Sequence, residues 1–151
     1  MHDVQTLLLA GLLTALIAAA ATDIRSRTIS NALNAGIALA APLYWWATGV
    51  SLWPGVGLQI LFAFAVFAAF AGLFAIGAMG GGDVKLIGAL ALWFPVTPFL
   101  SLLMLMAILG GVLTIVMLTI HKLRPSDRAL EVPYGVAIAA AGAWSIVRTV
   151  F

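Results

Sequence analysis

The chain has 151 residues, of which 64% are hydrophobic and only 8% are charged. Soluble domains carry about 25% charged residues, so this composition excludes a soluble globular protein and indicates one whose solvent is the lipid bilayer. The absence of cysteine excludes disulfides, thiolate metal sites and cysteine nucleophiles, and a net charge of +2 is too small for a nucleic-acid-binding surface.

The first apolar run, residues 4–22, predicts a membrane helix. A cleaved signal peptide is the alternative, because residues 7–21 are apolar and small residues precede Thr22. Signal peptides normally begin with Lys or Arg, whereas this chain begins Met1-His2-Asp3. We therefore expect the segment to be retained as the first transmembrane helix.

Five further apolar runs follow, so the sequence predicts an all-α polytopic integral membrane protein that forms a single domain. A span needs about 20 mainly apolar residues, and the fourth run is short because it ends at the turn signal Pro95-Val96-Thr97-Pro98. The six predicted spans cover residues 4–22, 32–48, 57–78, 84–94, 99–120 and 134–150.

Basic residues determine the predicted orientation, because cytoplasmic loops carry an excess of Lys and Arg. Six of the seven basic residues fall in the first, third and fifth loops. These loops are therefore expected in the cytoplasm, with both termini outside, in a plasma (inner) membrane. The six are Arg25, Arg27, Lys85, Lys122, Arg124 and Arg128, and Arg148 falls on the other side.

Aromatic residues support this orientation. They cluster at the predicted outer ends of the spans, where an interfacial belt is expected. The cluster comprises Tyr44, Trp45, Trp46, Trp53, Trp93 and Phe94.

Two of the five acidic residues lie where an apolar run meets a polar segment. Asp23 ends the first span and Asp83 begins the fourth, so both are predicted at the cytoplasmic face although sixty residues separate them. Ionisable residues at membrane depth are costly and usually face a cavity or a partner, which makes each one a functional-site candidate. Helix packing can bring the two carboxyls together.

Two adjacent carboxyls cannot both ionise cheaply, so they share one proton and titrate as a pair. The ionised member can then take a proton from water while the protonated member hydrogen-bonds a substrate carbonyl, as in aspartic proteases. Such hydrolysis needs no metal and no cofactor. Gly80, Gly81 and Gly82 directly precede Asp83, and glycine lets a substrate segment approach the backbone closely.

Structural interpretations of the same residues remain open. The glycine run can be a flexible connection, and Gly77-x-x-x-Gly81 has a spacing that is common in helix packing. Asp83 can cap the helix that follows it. Asp23 can pair with Arg25 or Arg27 at the interface.

Three motifs resemble the type IV prepilin leader peptidases. Residues 80–83 fit the GxGD signature of membrane aspartyl peptidases, and Val84-Lys85-Leu86 continues as in the prepilin branch. Residues 22–31 resemble that family's Asp-x-Arg…Ile-Pro-Asn segment, with Asp23 and Arg25 on its fixed positions. Residues 132–138 resemble its Pro-Tyr-Gly stretch.

The resemblance implies an enzyme that cuts a short basic leader from pilin-like precursors, with Asp23 and Asp83 as the catalytic pair. In such precursors the basic leader is followed by Gly and then by an apolar helix. Its partners are then a precursor protein and the bilayer, and a homo-oligomer remains open. Larger members carry a cysteine-rich insert and methylate the new amino terminus. Here about eight residues join the first two spans and cysteine is absent, so methylation is not expected and the chain resembles the small Flp, or tight-adherence, branch.

Further residues are expected to bind substrate or shape the site. This set comprises Lys85, Arg25, Asn31, Pro133, Tyr134 and Gly135, together with the three glycines before Asp83. Lys85, Arg25 and Arg27 have an alternative role as topology anchors. Asn31 is also a candidate helix cap, Ser30 replaces the family's usual proline and is expected to loosen that turn, and Gln59 is expected to bond a neighbouring helix.

Two other functions were considered. An intramembrane serine protease needs Ser and His at one depth, but Ser51 is predicted outside and His121 inside. A non-enzymatic transporter, or a pilus or secretion assembly subunit, would use the two acids to carry protons. Proton carriers tend to place acids in mid-span, so the cytoplasmic position of Asp23 and Asp83 favours the peptidase.

Overall fold

A computed structural model of the chain describes residues 2–123 and 132–150. Within these ranges the chain is entirely helical apart from turns, which confirms the all-α prediction. Arg124 and Arg128, which contributed to the predicted orientation, lie outside the described residues. The helices are α1 (His2–Ser26), α2 (Asn31–Thr48), α3 (Gly57–Ala75), α4 (Gly81–Ala91), α5 (Val96–Leu123) and α6 (Tyr134–Val150), with a short helical turn at Leu52–Val56 before α3.

Three segments of the described chain are long and apolar enough to cross a membrane. They are Asp3–Ser26, Leu52–Ala75 and Val96–Leu123, and they correspond to the first, third and fifth predicted spans. The remaining helices are shorter. The 11 residues of α4 give a rise of roughly 16 Å, about half of the ~30 Å hydrocarbon core. The protein is therefore a helical membrane protein, while six complete spans and the side of each terminus stay predictions.

Helix α4 is deeply buried in the bundle. Helices α6, α1, α2 and α4 pack in a closed ring, with α5 on the outer side of α6 and α3 on the outer side of α4. The residues of α4 from Leu86 to Ala91 are all buried, and Leu86, Ile87 and Leu90 are fully enclosed. A helix that is apolar all round belongs in such an interior.

Side chains from α2 and α3 satisfy the carbonyl groups at the end of α4. The last four carbonyls of a helix have no partner within it, and none is supplied by lipid. The amide of Gln59 donates to the carbonyls of Ala91 and Phe94 at 2.6 and 2.9 Å, and the Trp45 indole donates to that of Leu92 at 2.7 Å. The prediction that Gln59 bonds a neighbouring helix is confirmed.

The interfacial aromatic belt is only partly correct. Trp46 and Trp53 are exposed, as the interpretation requires. The other four aromatic side chains are buried within the protein, so their assignment to the belt is wrong. The Trp93 indole, for example, donates to the Ile37 carbonyl at 2.9 Å. The four buried residues are Tyr44, Trp45, Trp93 and Phe94.

The predicted topology can be tested by labelling single cysteines, because the native chain contains none. Ser26 and Ser51 are both exposed. We expect Ser51→Cys to react with a membrane-impermeant maleimide in intact cells, and Ser26→Cys to react only after permeabilisation. The cysteine-free parent is the control, and labelling of both positions from one side would contradict the topology.

Candidate active site

The end of α1 positions Asp23. The helix continues through Asp23 to Ser26 and ends where Arg27 adopts the left-handed conformation, with φ of 53°. A left-handed residue is a common helix terminator, and the Arg27 amide donates to the Asp23 carbonyl at 2.9 Å. The Asp23 side chain points into the protein and is only 5% exposed. The predicted polar end of the first span is therefore a buried carboxyl.

The start of α6 covers the Asp23 carboxyl. Burial removes this group from water, while the backbone N–H groups of Gly135 and Val136 and the charge of Arg27 favour its ionised form. A Cβ on Gly135 would lie 2.8 Å from Asp23 Oδ2, so glycine permits this close approach. Among the described residues, Asp23 Oδ2 has no hydrogen-bond partner.

The turn between α3 and α4 positions Asp83. Helix α3 ends at Ala75, and Gly77 lies in the turn with φ of 74°, so the helix-packing interpretation of Gly77-x-x-x-Gly81 is wrong. Gly80 is the residue that caps α4, and Asp83 lies inside the first turn rather than at the cap. The suggestion that Asp83 caps the helix is therefore wrong as well.

Asp23 and Asp83 line one cavity of about 220 Å³, which we call the dyad cavity. Its wall is formed by the α1–α2 connection and by residues 80–82, which we call the glycine turn. These two segments approach so closely that a Cβ on Gly82 would lie 3.3 Å from the backbone of Ile29. Burial, and after it the charge of Asp23, raises the pKa of Asp83 from 3.8 to about 6. The cavity is lined by Asp23, Arg27, Thr28, Ile29, Gly80, Gly81, Gly82 and Asp83.

Arg27 lines this cavity, and Arg25 does not. Arg25 is exposed, whereas Arg27 Nη1 is buried and has no hydrogen-bond partner among the described residues. The sequence reasoning chose Arg25 as the site residue and treated Arg27 as an anchor. The spacing from Asp23 to Arg27 is one helical turn, and that spacing was the available signal that Arg27 lies near the Asp23 carboxyl.

Asn31 and Lys85 bond each other beside the cavity. Lys85 Nζ donates to Asn31 Oδ1 at 2.7 Å. Asn31 is not the cap of α2, because Ser30 accepts a hydrogen bond from the Leu33 amide. Ser30 has φ of −66° and ψ of 146°, angles that proline also adopts, so this turn keeps a proline-like backbone and gains a cap.

The Pro-Tyr-Gly stretch contributes to the site mainly through Gly135. Tyr134 faces α5, where its ring packs on Gly110 and its hydroxyl lies 3.5 Å from Thr114 Oγ1. Pro133 is buried next to it. Pro133 and Tyr134 were predicted to bind substrate or shape the site, but neither residue lines the dyad cavity.

Sequence reasoning missed Asn34, which is 5% exposed. Its Nδ2 donates to the Gly82 carbonyl at 3.2 Å, which ties α2 to the residue before Asp83. A polar residue three positions into an apolar helix was visible in the sequence. Its inward orientation depends on the rotation of α2, which the sequence did not define.

The sequence profile of the type IV leader peptidase family matches residues 10–115, a range that contains Asp23, the glycine turn and Asp83. The chain belongs to the type IV leader peptidase family. No curated protein and no solved structure matches the chain. Membership identifies a peptidase whose substrates are prepilin-type precursors, and the expected family is confirmed.

The raised pKa of Asp83 predicts a pH-dependent stability difference. The folded protein holds this proton more tightly than the unfolded chain, so stability falls as pH rises from about 4 through about 6. Asp83→Asn removes that loss. We expect the variant to melt several degrees higher than the parent at pH 7.5 in detergent, and the difference to vanish near pH 4.

Asp3→Asn, at an exposed position on α1, is the control for this comparison. An Asp83→Asn stability difference that is equal at both pH values would show that ionisation of Asp83 does not cause it.

Proposed function

We propose that this leader peptidase is a membrane aspartyl endopeptidase that removes the leader of Flp-type prepilins at the cytoplasmic membrane face. The observation that carries the proposal is the cavity shared by Asp23 and Asp83 in a chain of this peptidase family. The pKa of Asp83, which is raised to about 6, supports it, because the shift brings this carboxyl closer to the protonated form that the chemistry requires.

In the proposed reaction, Asp23 is the base and Asp83 holds the shared proton. Ionised Asp23 takes a proton from water, and the water oxygen bonds to the scissile carbonyl carbon. Asp83 donates its proton to the carbonyl oxygen, which gives a neutral tetrahedral intermediate. The intermediate returns a hydroxyl proton to Asp83, the proton on Asp23 passes to the amide nitrogen, and the C–N bond breaks. The pair then regains its initial state.

The assignment of roles rests on the surroundings of the two carboxyls. Burial acts against a negative charge on Asp23, but this carboxyl also lies against the Gly135 and Val136 amides and near Arg27, all of which stabilise that charge. Burial and the neighbouring charge of Asp23 both favour the protonated form of Asp83. The proton of a coupled pair therefore resides mainly on Asp83.

Peptidase activity alone is proposed. Only residues 27–30 connect α1 to α2, so this connection has no room for an inserted methyltransferase region. The cytoplasmic position is supported by Arg25, Arg27 and Lys85, which lie around the cavity end of the bundle where the positive-inside rule expects basic residues.

Substitution of either carboxyl tests the proposed chemistry. Asp23→Asn and Asp83→Asn each remove a group that carries a proton in the reaction, and such groups contribute about 10²–10⁴-fold. We expect both variants to insert in the membrane and to reduce cleavage of a Flp-type prepilin by at least that factor. Processing at the parent rate by either variant would exclude the dyad, and a transporter or assembly subunit would cleave no precursor in any form.

Arg27 and Arg25 provide a matched pair of charge variants. Arg27 lines the cavity, and its Nη1, which has no hydrogen-bond partner among the described residues, is proposed to donate to a main-chain carbonyl of the substrate. A charge-assisted hydrogen bond contributes roughly 1.5–3 kcal/mol, so Arg27→Gln should lower kcat/KM about 10- to 100-fold. Arg25→Gln removes the same charge from the same end of α1 and should change kcat/KM less than about threefold. Equal effects would indicate a role in topology only.

A further inference from the structure

A second cavity, of about 560 Å³, opens between α2, α3 and α4 and has no part in the proposed reaction. Asn31, Asn34 and Lys85 are the polar residues of its lining, and the rest of its walls are apolar. These apolar walls are built partly from small side chains, a composition that lets another helix pack closely in a membrane. We call it the α2–α4 groove. Its wall includes Ala35, Ala38, Ile60, Ala63, Phe67 and Gly88.

The α2–α4 groove begins beside the dyad cavity. Asn34 lines the groove and donates to the carbonyl of Gly82, which lines the dyad cavity. Along α4 the groove extends from Lys85 to Leu92, the residue that follows the helix. The seven-residue step between them corresponds to about 10 Å, or two helical turns. The groove therefore runs from the level of Asp83 towards the opposite end of α4.

Asn34 leaves one polar atom unsatisfied. The Gly82 carbonyl accepts only, so the amide nitrogen of Asn34 faces it and the orientation of Oδ1 is fixed. Asn34 Oδ1 is buried and has no partner in the described part of the chain. A buried acceptor without a donor costs about 1–3 kcal/mol, so an occupant that brings an N–H group is favoured over one that brings none.

We propose that the α2–α4 groove binds the apolar helix of the precursor, the segment that follows the scissile bond, and that Asn34 Oδ1 accepts an N–H from its first turn. This inference rests on the proposed function and names the part of the substrate that the groove holds. A peptide at membrane depth must be helical to satisfy its backbone, yet the first four N–H groups of any helix lack partners. A lipid acyl chain supplies no such donor.

The position of Asn34 also gives the direction of the substrate. The amino end of the bound helix lies at Asn34, next to Gly82 and Asp83, and its body follows the apolar walls away from the dyad. The residues before the helix then extend across the glycine turn into the dyad cavity. Cleavage in this arrangement releases what precedes the helix, which is the leader.

A matched pair of tryptophan variants tests the inference. Ala35 and Ala32 are both exposed on α2, but Ala35 lines the α2–α4 groove whereas Ala32 lines a separate crevice against α1. Two substrates are compared in phosphatidylcholine–phosphatidylglycerol vesicles. One is a full-length Flp-type prepilin, and the other is a peptide that ends a few residues after the cleavage site.

We expect Ala35→Trp to raise KM for the full-length precursor at least tenfold and to leave cleavage of the short peptide within about twofold of the parent. Ala32→Trp should change neither. Parent-like cleavage of the full-length precursor by Ala35→Trp, an equal loss on both substrates, or a selective loss in Ala32→Trp would each overturn the groove assignment. If the parent itself cleaves neither substrate, the proposed function fails instead.

A small photo-crosslinker gives a second measurement that fills less of the groove than tryptophan does. A diazirine amino acid of about the size of leucine at position 35 in an Asp83→Asn background should form an adduct with the apolar segment of the bound prepilin, and the same group at position 32 should not. Adducts at position 35 with lipid only, or with a second copy of the chain, would show a different occupant and overturn the proposal.

Discussion

The site depends on how a short helix is held inside the bundle. Helix α4 is too short to reach both membrane surfaces, so each of its ends needs protein partners. Gln59 and Trp45 bond the carbonyls at its far end and prevent it from sliding along its axis. Its first turn carries Asp83, and the level of that carboxyl is therefore determined by hydrogen bonds at the other end of the helix.

Asp23 is positioned by the end of α1 and the beginning of α6. It belongs to a long helix whose end is closed by the left-handed Arg27, and the beginning of α6 covers it with two N–H groups. A buried carboxyl is costly unless charges and donors compensate. Compensation is incomplete here because Oδ2 has no hydrogen-bond partner in the part of the chain that the structure describes. Violations of ordinary packing rules concentrate at functional sites. Among the described residues, buried polar atoms without a hydrogen-bond partner lie on Asp23, Arg27 and Asn34.

Much of this arrangement could be predicted because few residues in the chain carry chemistry. In an apolar sequence, Asp23 and Asp83 stand out, and the hydropathy pattern places them at one level. The order and approximate positions of the helices and the inter-helix role of Gln59 followed from the same pattern, although α1 ends four residues later and α4 begins three residues earlier than predicted. The helix break before Asp83 was also readable, since a run of glycines seldom lies in the middle of a helix, although Gly81 and Gly82 already belong to the first turn of α4.

Several of the errors share a physical cause, which is that hydropathy does not tell which face of a membrane helix points inwards. Lipid and protein interior are equally apolar, so Tyr44 and Trp93 were assigned to the interface although they are buried. The same uncertainty in rotation hid Asn34 and favoured Arg25 over Arg27. Likewise, Ser30 and Asn31 are neighbours, and only the observed backbone angles show which one caps α2.

Helix α3 has an evolutionary consequence. Of its residues only Ala63 is buried, and apart from the turn before it the helix packs mainly on α4. Leu58, Leu61 and Phe74 are exposed to fatty-acid chains that accept any apolar side chain of similar hydropathy. Drift at such positions is nearly neutral, whereas Gln59 cannot be exchanged freely. Distant relatives should consequently align well along α1 and α4 and poorly along α3, even where they cut the same kind of precursor.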